Sequence, residues 1–339
     1  EPVAERHSDD VGEPVIALVV RRFAVAIPLL LATSILSFIA TRSVSSPEAG
    51  IRSNPRVSAE DIARYREQLG LDDSPTEQYL RWLGNFLQGD LGRSLVSNRE
   101  VWPQLRTALW NTTVLGFTAI VFSFVVGVSI GVIAARRRGS FLDAGATGAA
   151  FFGLSMPNFW FAIMLQLFFG LYLVDWFGLD GPVLFTSGMR SPGTTGFDLM
   201  DRLRHLALPA LVLSVQLIAV YSRFMRASMI DALNADHVRV ARAKGLRERT
   251  VVRRHGMRNA MIPVSTQLAN DMGALVGGLV ITETIFQWQG MGPLFLDALQ
   301  SGDYVVILPW LMITASAVIV FNLLADLVYT FLDPRIRYA

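Results

Sequence analysis

NADHVRVARAKGLRERTVVRRHGMRNAMIP, residues Asn234 to Pro263, is the most basic stretch of an otherwise apolar chain. It joins two segments apolar enough to cross a membrane, Leu206–Tyr221 and Met261–Ile281. From Ser222 to Arg258 ten residues are Lys or Arg: Arg223, Arg226, Arg239, Arg242, Lys244, Arg247, Arg249, Arg253, Arg254 and Arg258. The facing polar segment, Glu283–Asp303, has none. Lys and Arg collect in the short cytosolic loops of membrane proteins, so the basic loop and both termini are expected inside and Glu283–Asp303 outside.

Composition agrees with a polytopic membrane chain. Of 339 residues, 52% are hydrophobic and 17% charged, with a mean hydropathy of +0.41; a soluble domain carries about a quarter charged residues. The fold class expected is therefore all-α, with six transmembrane helices. There is no cysteine, which excludes disulfides, a thiolate nucleophile and Cys-ligated zinc. Net charge is only +2, so the arginines are clustered and no nucleic-acid surface is expected. The single lysine, Lys244, is followed by Gly245. A phosphate-binding loop ending in Gly-Lys-Ser/Thr is thus absent, and any ATP used must be bound by another polypeptide.

In chain order, residues 1–20 are expected as a cytosolic tail and 21–41 as the first span, whose apolar run Phe23–Ala40 is long for a cleaved signal core and is read as retained. Residues 42–108 form an external segment with helical periodicity between Arg64 and Leu87, punctuated by Pro75 and GDLGRS (Gly89–Ser94). Residues 109–332 hold five further spans around the cytosolic loop 222–258, and 333–339 close the chain inside. The spans are Val114–Ala135, Gly148–Trp176, Leu206–Tyr221, Met261–Ile281 and Val305–Phe331. Gly116, Gly127 and Gly131 allow close helix approach in the second. Pro157 should break the start of the third, and the fourth should continue as helix into the cytosol.

Within the basic loop, Asn234 or Asp236 can cap a short helix that Gly245 ends. Val238, Ala241 and Gly245 share a face small enough to sit in another protein's groove, with Arg239, Arg242 and Lys244 around it. The competing view is a solvated helix whose arginines only set topology or rest on anionic headgroups.

DHVRVARAKGL and RHGMRNAMIPV closely resemble the cytosolic loop of binding-protein-dependent ABC importers, and more narrowly the oligopeptide/dipeptide/nickel permease family. LGLDDSPTEQYLRWL (Leu69–Leu83) and GDLGRS resemble the external region of the first of that family's two permease subunits. SMPNFW (Ser155–Trp160), HLALPALVL, ITETIFQWQGMGPL, SGDYVVI and LDPRIRY follow in the family's order. Aligned on Gly245, the importers' Glu-Ala-Ala triplet falls on Arg239, Val240 and Ala241, so the signature Glu is missing, as in the peptide-type variant.

The resemblance implies a type I importer transmembrane fold in a bacterial cytoplasmic membrane. The partners implied are a second homologous permease subunit, two ATP-binding subunits and an external substrate-binding protein. Peptide is the substrate implied, with nickel chelates or another small solute as the alternative. ATP and Mg would sit on the partner subunits, and this chain would bind no cofactor or metal and catalyse nothing. Asp236, Val238, Arg239, Ala241, Arg242, Lys244 and Gly245 would form the helix coupled to the ATPase.

A self-contained secondary transporter would need coupling groups inside the membrane. Asp271 is the only central acid, beside Asn270 and one turn from Gln267; a carboxylate there costs roughly 2.5–3.5 kcal/mol and should face a pore or a neighbouring helix. Glu283 either contacts the external binding protein or caps a short external helix. His205, His237 and His255 have no metal-ligand spacing.

Overall fold

Backbone that crosses hydrocarbon has no water to bond, so each apolar run must satisfy its own N–H and C=O groups, as a helix does. The computed structural model describes residues 15–44, 58, 60, 72–194, 196–274 and 279–332. These residues form helices, with no strand among them beyond one isolated antiparallel bridge between Arg93 and Glu100. The expected 333–339 tail, residues 1–14 of the N-terminal tail and much of the external segment before residue 72 lie outside the described residues.

In chain order the helices are α1 (Val15–Val44), α2 (Pro75–Leu87), α3 (Val101–Arg136), α4 (Phe141–Ser155), α5 (Asn158–Phe177), α6 (Leu199–Asn234), α7 (Asp236–Ala243), α8 (Met257–Ala274), α9 (Val280–Ile285), α10 (Met291–Gln300) and α11 (Tyr304–Leu332). Among the described residues five helices are long and apolar enough to cross a membrane: α1, α3, α5, α6 and α11. The expected fifth span, Met261–Ile281, divides between α8 and α9, with 275–278 outside the described residues. Asn259, Gln267, Asn270 and Asp271 lower the hydropathy of α8, which packs against α6 and α11.

The bundle is organised on α3 and α6, each 36 residues, or roughly 54 Å at about 1.5 Å per residue. Both exceed a hydrocarbon core of about 30 Å, so the expected boundaries Val114 and Leu206 fall inside longer helices. They run in the same direction: Gly127 lies against Tyr221, and Gly131 against Met225. A Cβ on Gly131 would stand 2.6 Å from Met225 Cβ and 2.7 Å from the Ser222 carbonyl oxygen. Only glycine lets the backbones come that close. Ser123 Oγ donates to the Ser214 carbonyl at 3.3 Å, and Ser214 Oγ to that of Ala119, also at 3.3 Å.

The expected third span, Gly148–Trp176, is two helices. Proline cannot donate to a helix ladder and pushes the residue before it out of helical geometry; accordingly α4 ends at Ser155, Met156 is extended, and α5 starts after Pro157. Gln216 on α6 donates to the Met156 carbonyl at 3.2 Å, satisfying a group the break releases. α4 runs antiparallel to α6, and its Asp143 accepts two bonds from Arg226, Nε to Oδ1 at 2.5 Å and Nη2 to Oδ2 at 2.8 Å.

At the end opposite the arginines, α2 is fixed by a capping box between Ser74 and Glu77. Its Tyr79 meets α1 through Ser34 at 2.7 Å and Phe38 at 5.5 Å between ring centroids.

Candidate functional site

α6 leaves the bundle at Asn234, and Ala235 turns the chain in an extended conformation. α7 then begins at Asp236 with no side-chain cap. The expected capping by Asn234 or Asp236 is replaced by Asn234 closing α6 and Asp236 opening α7, where its charge suits the helix dipole. α7 ends as expected at Gly245, whose φ of +76° is left-handed. Gly245 N–H donates to the Arg242 carbonyl at 2.9 Å and Leu246 N–H to that of Ala241 at 3.4 Å, a Schellman closure.

Val238 and Ala241, expected to offer a free apolar face, are turned inward. They are buried against Val251 and Leu233 of the same chain. Burying that face gives an eight-residue helix, too short to be stable alone, a fixed seat on the body. The free surface is the other side: Asp236, Arg239, Val240, Ala243, Lys244 and Gly245 are exposed. Asp236 and Arg239 are 3.4 Å apart, an exposed pair worth little.

Arg242 does more than decorate the helix. Its guanidinium makes two bonds to Glu248, at 2.9 and 3.1 Å, and a third to the Leu233 carbonyl at 3.3 Å. It thereby bridges the end of α6, α7 and the short helical turn Glu248–Thr250. The guanidinium holds the Glu248 carboxyl below its usual range. Sequence reading passed over Glu248 and over Val251, the apolar residue on which α7 rests.

Of Gln267, Asn270 and Asp271 on α8, two meet. Gln267 Nε2 donates to Asp271 Oδ1 at 2.9 Å, while Asn270 is exposed. The Tyr221 hydroxyl of α6 lies within electrostatic reach of Asp271, yet neither it nor Asp271 Oδ2 makes a well-formed hydrogen bond among the described residues.

Glu283 is fully buried at the opposite end of the molecule. Thr112 Oγ1 of α3 donates to its Oε1 at 2.5 Å and the Gly292 N–H of α10 to its Oε2 at 2.8 Å. Thr112 in turn accepts the Met291 N–H at 2.8 Å. Of the two roles open to Glu283, the geometry is that of a cap on α10. A Cβ on Gly290 would lie 2.2 Å from Glu283 Oε1, so this glycine makes room for the carboxylate. Trp288 Nε1 bonds the Asn111 carbonyl at 2.9 Å and Trp310 Nε1 that of Met291 at 2.8 Å. The spacing of the glycines in QWQGMGP was the one signal in the sequence for this lock.

Among the described residues no group of three or more His, Asp or Glu side chains is placed to hold a metal ion.

Comparison with known proteins covers nearly the whole chain. Residues 127–338 match the family described as binding-protein-dependent transport system inner membrane component, and residues 15–129 match the N-terminal component of such systems. The oligopeptide transport system permease protein AppB of Bacillus subtilis is 38% identical over 323 residues, covering 95% of this chain and 99% of that protein. A putative peptide permease protein of Brucella suis is 40% identical over 319 residues, covering 93% and 97%. The dipeptide transport system permease protein DppB of Escherichia coli K12 is 36% identical over 335 residues, covering 94% and 98%.

Proposed function

Because this chain belongs to the family of binding-protein-dependent transport system inner membrane components, we propose that it is a pore-forming subunit of an ABC importer that moves peptides into a bacterial cell. It does no chemistry itself. A second permease subunit completes the pore, two ATP-binding subunits carry ATP and Mg beneath it, and an external binding protein delivers peptide from above. Peptide as cargo is supported by the names of the relatives, which cover nearly the whole chain. A permease for nickel chelates stays the alternative within the family.

The observation that carries the coupling role is the mounting of α7. An ATPase can drive a pore only if it binds the two pore states differently, and a loosely tethered loop would absorb the motion. α7 is instead clamped by the Val238–Ala241–Val251 cluster and by Arg242. Its exposed side, with Arg239, Val240, Ala243 and Lys244, is the surface on which an ATP-binding subunit would push.

Peptide-stimulated ATP hydrolysis by the co-expressed complex in lipid tests this. Val240→Asp and Lys244→Glu change only the exposed side and should cut stimulation about ten-fold or more while all subunits still co-purify. Ala241→Arg and Gly245→Pro should loosen α7 and abolish stimulation. Unchanged stimulation in all four would reduce α7 to a topological loop.

A further inference from the structure

Beside α7, and sharing the Arg242–Glu248 pair with its clamp, is a cavity. Its volume is about 290 Å³, the space of roughly ten water molecules. Three arginines line it, Arg136 and Arg138 from the end of α3 and Arg242 from α7, against one carboxylate, Glu248. Arg242 and Glu248 neutralise one another in their two-bonded pair. Arg136 and Arg138 make no hydrogen bond or ion pair among the described residues. The remaining wall is mixed: Asn234 is polar, whereas Leu233 and Ile230 are apolar.

We propose that this cavity binds the phosphate of an anionic lipid headgroup. Arginines that only set topology need no concave site and no apolar wall. Here two guanidiniums outside any ion pair sit where the apolar α3 ends, Arg136 within electrostatic reach of Glu248 and Arg138 of Asp143, and Ile133, one turn back, is 52% exposed. An acyl chain can follow that apolar flank while the phosphate enters between Arg136 and Arg138. Free phosphate shares the headgroup chemistry, but gains nothing from the flank. Because Arg242 of α7 forms part of the wall, a bound headgroup braces α7 against α3 and α6. The inference takes the basic end as cytosolic, but its test requires no transport.

The test is native mass spectrometry of the full-length chain in detergent, titrated with phosphatidylglycerol or phosphatidylcholine of equal chain length. Wild type should retain phosphatidylglycerol roughly 25-fold better. Arg136→Gln with Arg138→Gln should remove that preference, at roughly five-fold per arginine. Arg249→Gln with Arg253→Gln, an equal charge change outside the cavity, should leave it. Glu248→Gln, which removes the one acid, should raise retention and provides a reading even if the double variant does not fold. The proposal is overturned if the control pair loses as much as the cavity pair, or if Glu248→Gln has no effect. Displacement of phosphatidylglycerol by millimolar inorganic phosphate as readily as by added lipid would overturn the lipid assignment.

Discussion

Two buried carboxylates show how single residues hold this molecule at its two ends. Glu283, fully buried, accepts from Thr112 and from Gly292. Glu283→Ala leaves both donors unsatisfied, each costing about 1–3 kcal/mol. Gly290→Ala places a methyl group within the carboxylate and should do similar damage without touching either donor. Both variants should lower the melting temperature in detergent, whereas Gln287→Ala, next to the lock but exposed, should not; a normal melting temperature for Glu283→Ala would remove the cap from the account. At the other end Asp143 is held by Arg226 first, and then by the Gly139 N–H, so its pKa falls to about 2 from an ordinary 3.8. A depressed carboxylate stabilises the fold above its ordinary pKa and loses that stabilisation as pH falls through the folded value. The melting-temperature gap between wild type and Asp143→Asn should therefore be constant from pH 7 to 5, shrink below about pH 4 and close near pH 2. The stabilisation behind it should be modest, about 1–2 kcal/mol, because Arg226 is a third exposed and partly screened. A gap that stayed constant to pH 2 would mean that the carboxylate charge is not what Arg226 recognises.

The helices were legible to the extent that each carries its own signal. Apolar runs announced α1, α3, α6 and α11, and Gly127 and Gly131 announced a close approach in α3. Gly131→Val should cost about 1–3 kcal/mol by overpacking against Met225, whereas Gly145→Ala on α4, with nothing within 4 Å of the new methyl, should be neutral or slightly stabilising. Equal stability of the two variants would show that α3 and α6 are not in the contact described. What the sequence hid depends on partners far along the chain. The division between α4 and α5 follows from Pro157, and α4 begins earlier than hydropathy suggested because Ser140 caps it, accepting the Asp143 N–H at 3.4 Å; the hidden part was that Asp143 finds Arg226, 83 residues away. The small apolar face of α7 was readable as a face. Its inward direction was not, because Val251 lies within a run of arginines that draws attention to charge. Glu283 could be placed at a helix end, while its burial depended on Gly290 and Gly292, which leave room for the carboxylate only in the folded chain.

Taken whole, the contacts describe one lever. α7 is clamped to the end of α6 by Arg242. α6 dovetails with α3 along Gly127 and Gly131, and α3 reaches the opposite end, where Thr112 joins Glu283 and α10. Under the proposed coupling role, a push on α7 would have a continuous packed route to the opposite end; such contiguity permits coupling, which further requires an element with two discrete arrangements. α4 shares this body if its contact with α6 persists through the cycle, and the absence of cysteine from the chain makes that testable with one introduced pair. A Cβ built on Gly153 lies 3.9 Å from Ala219 Cβ, within the span that a disulfide bridges. Val215 Cγ1, 3.0 Å from the same Cβ, must give slightly. Gly153→Cys with Ala219→Cys should oxidise in the assembled complex and leave peptide-stimulated ATP hydrolysis within about two-fold of the reduced form, since a link inside a rigid body blocks no motion. If oxidation instead stopped hydrolysis and reduction restored it, α4 would have to slide on α6 during transport. The Asp143–Arg226 pair, which ties the two helices, would then have to part and re-form in each cycle.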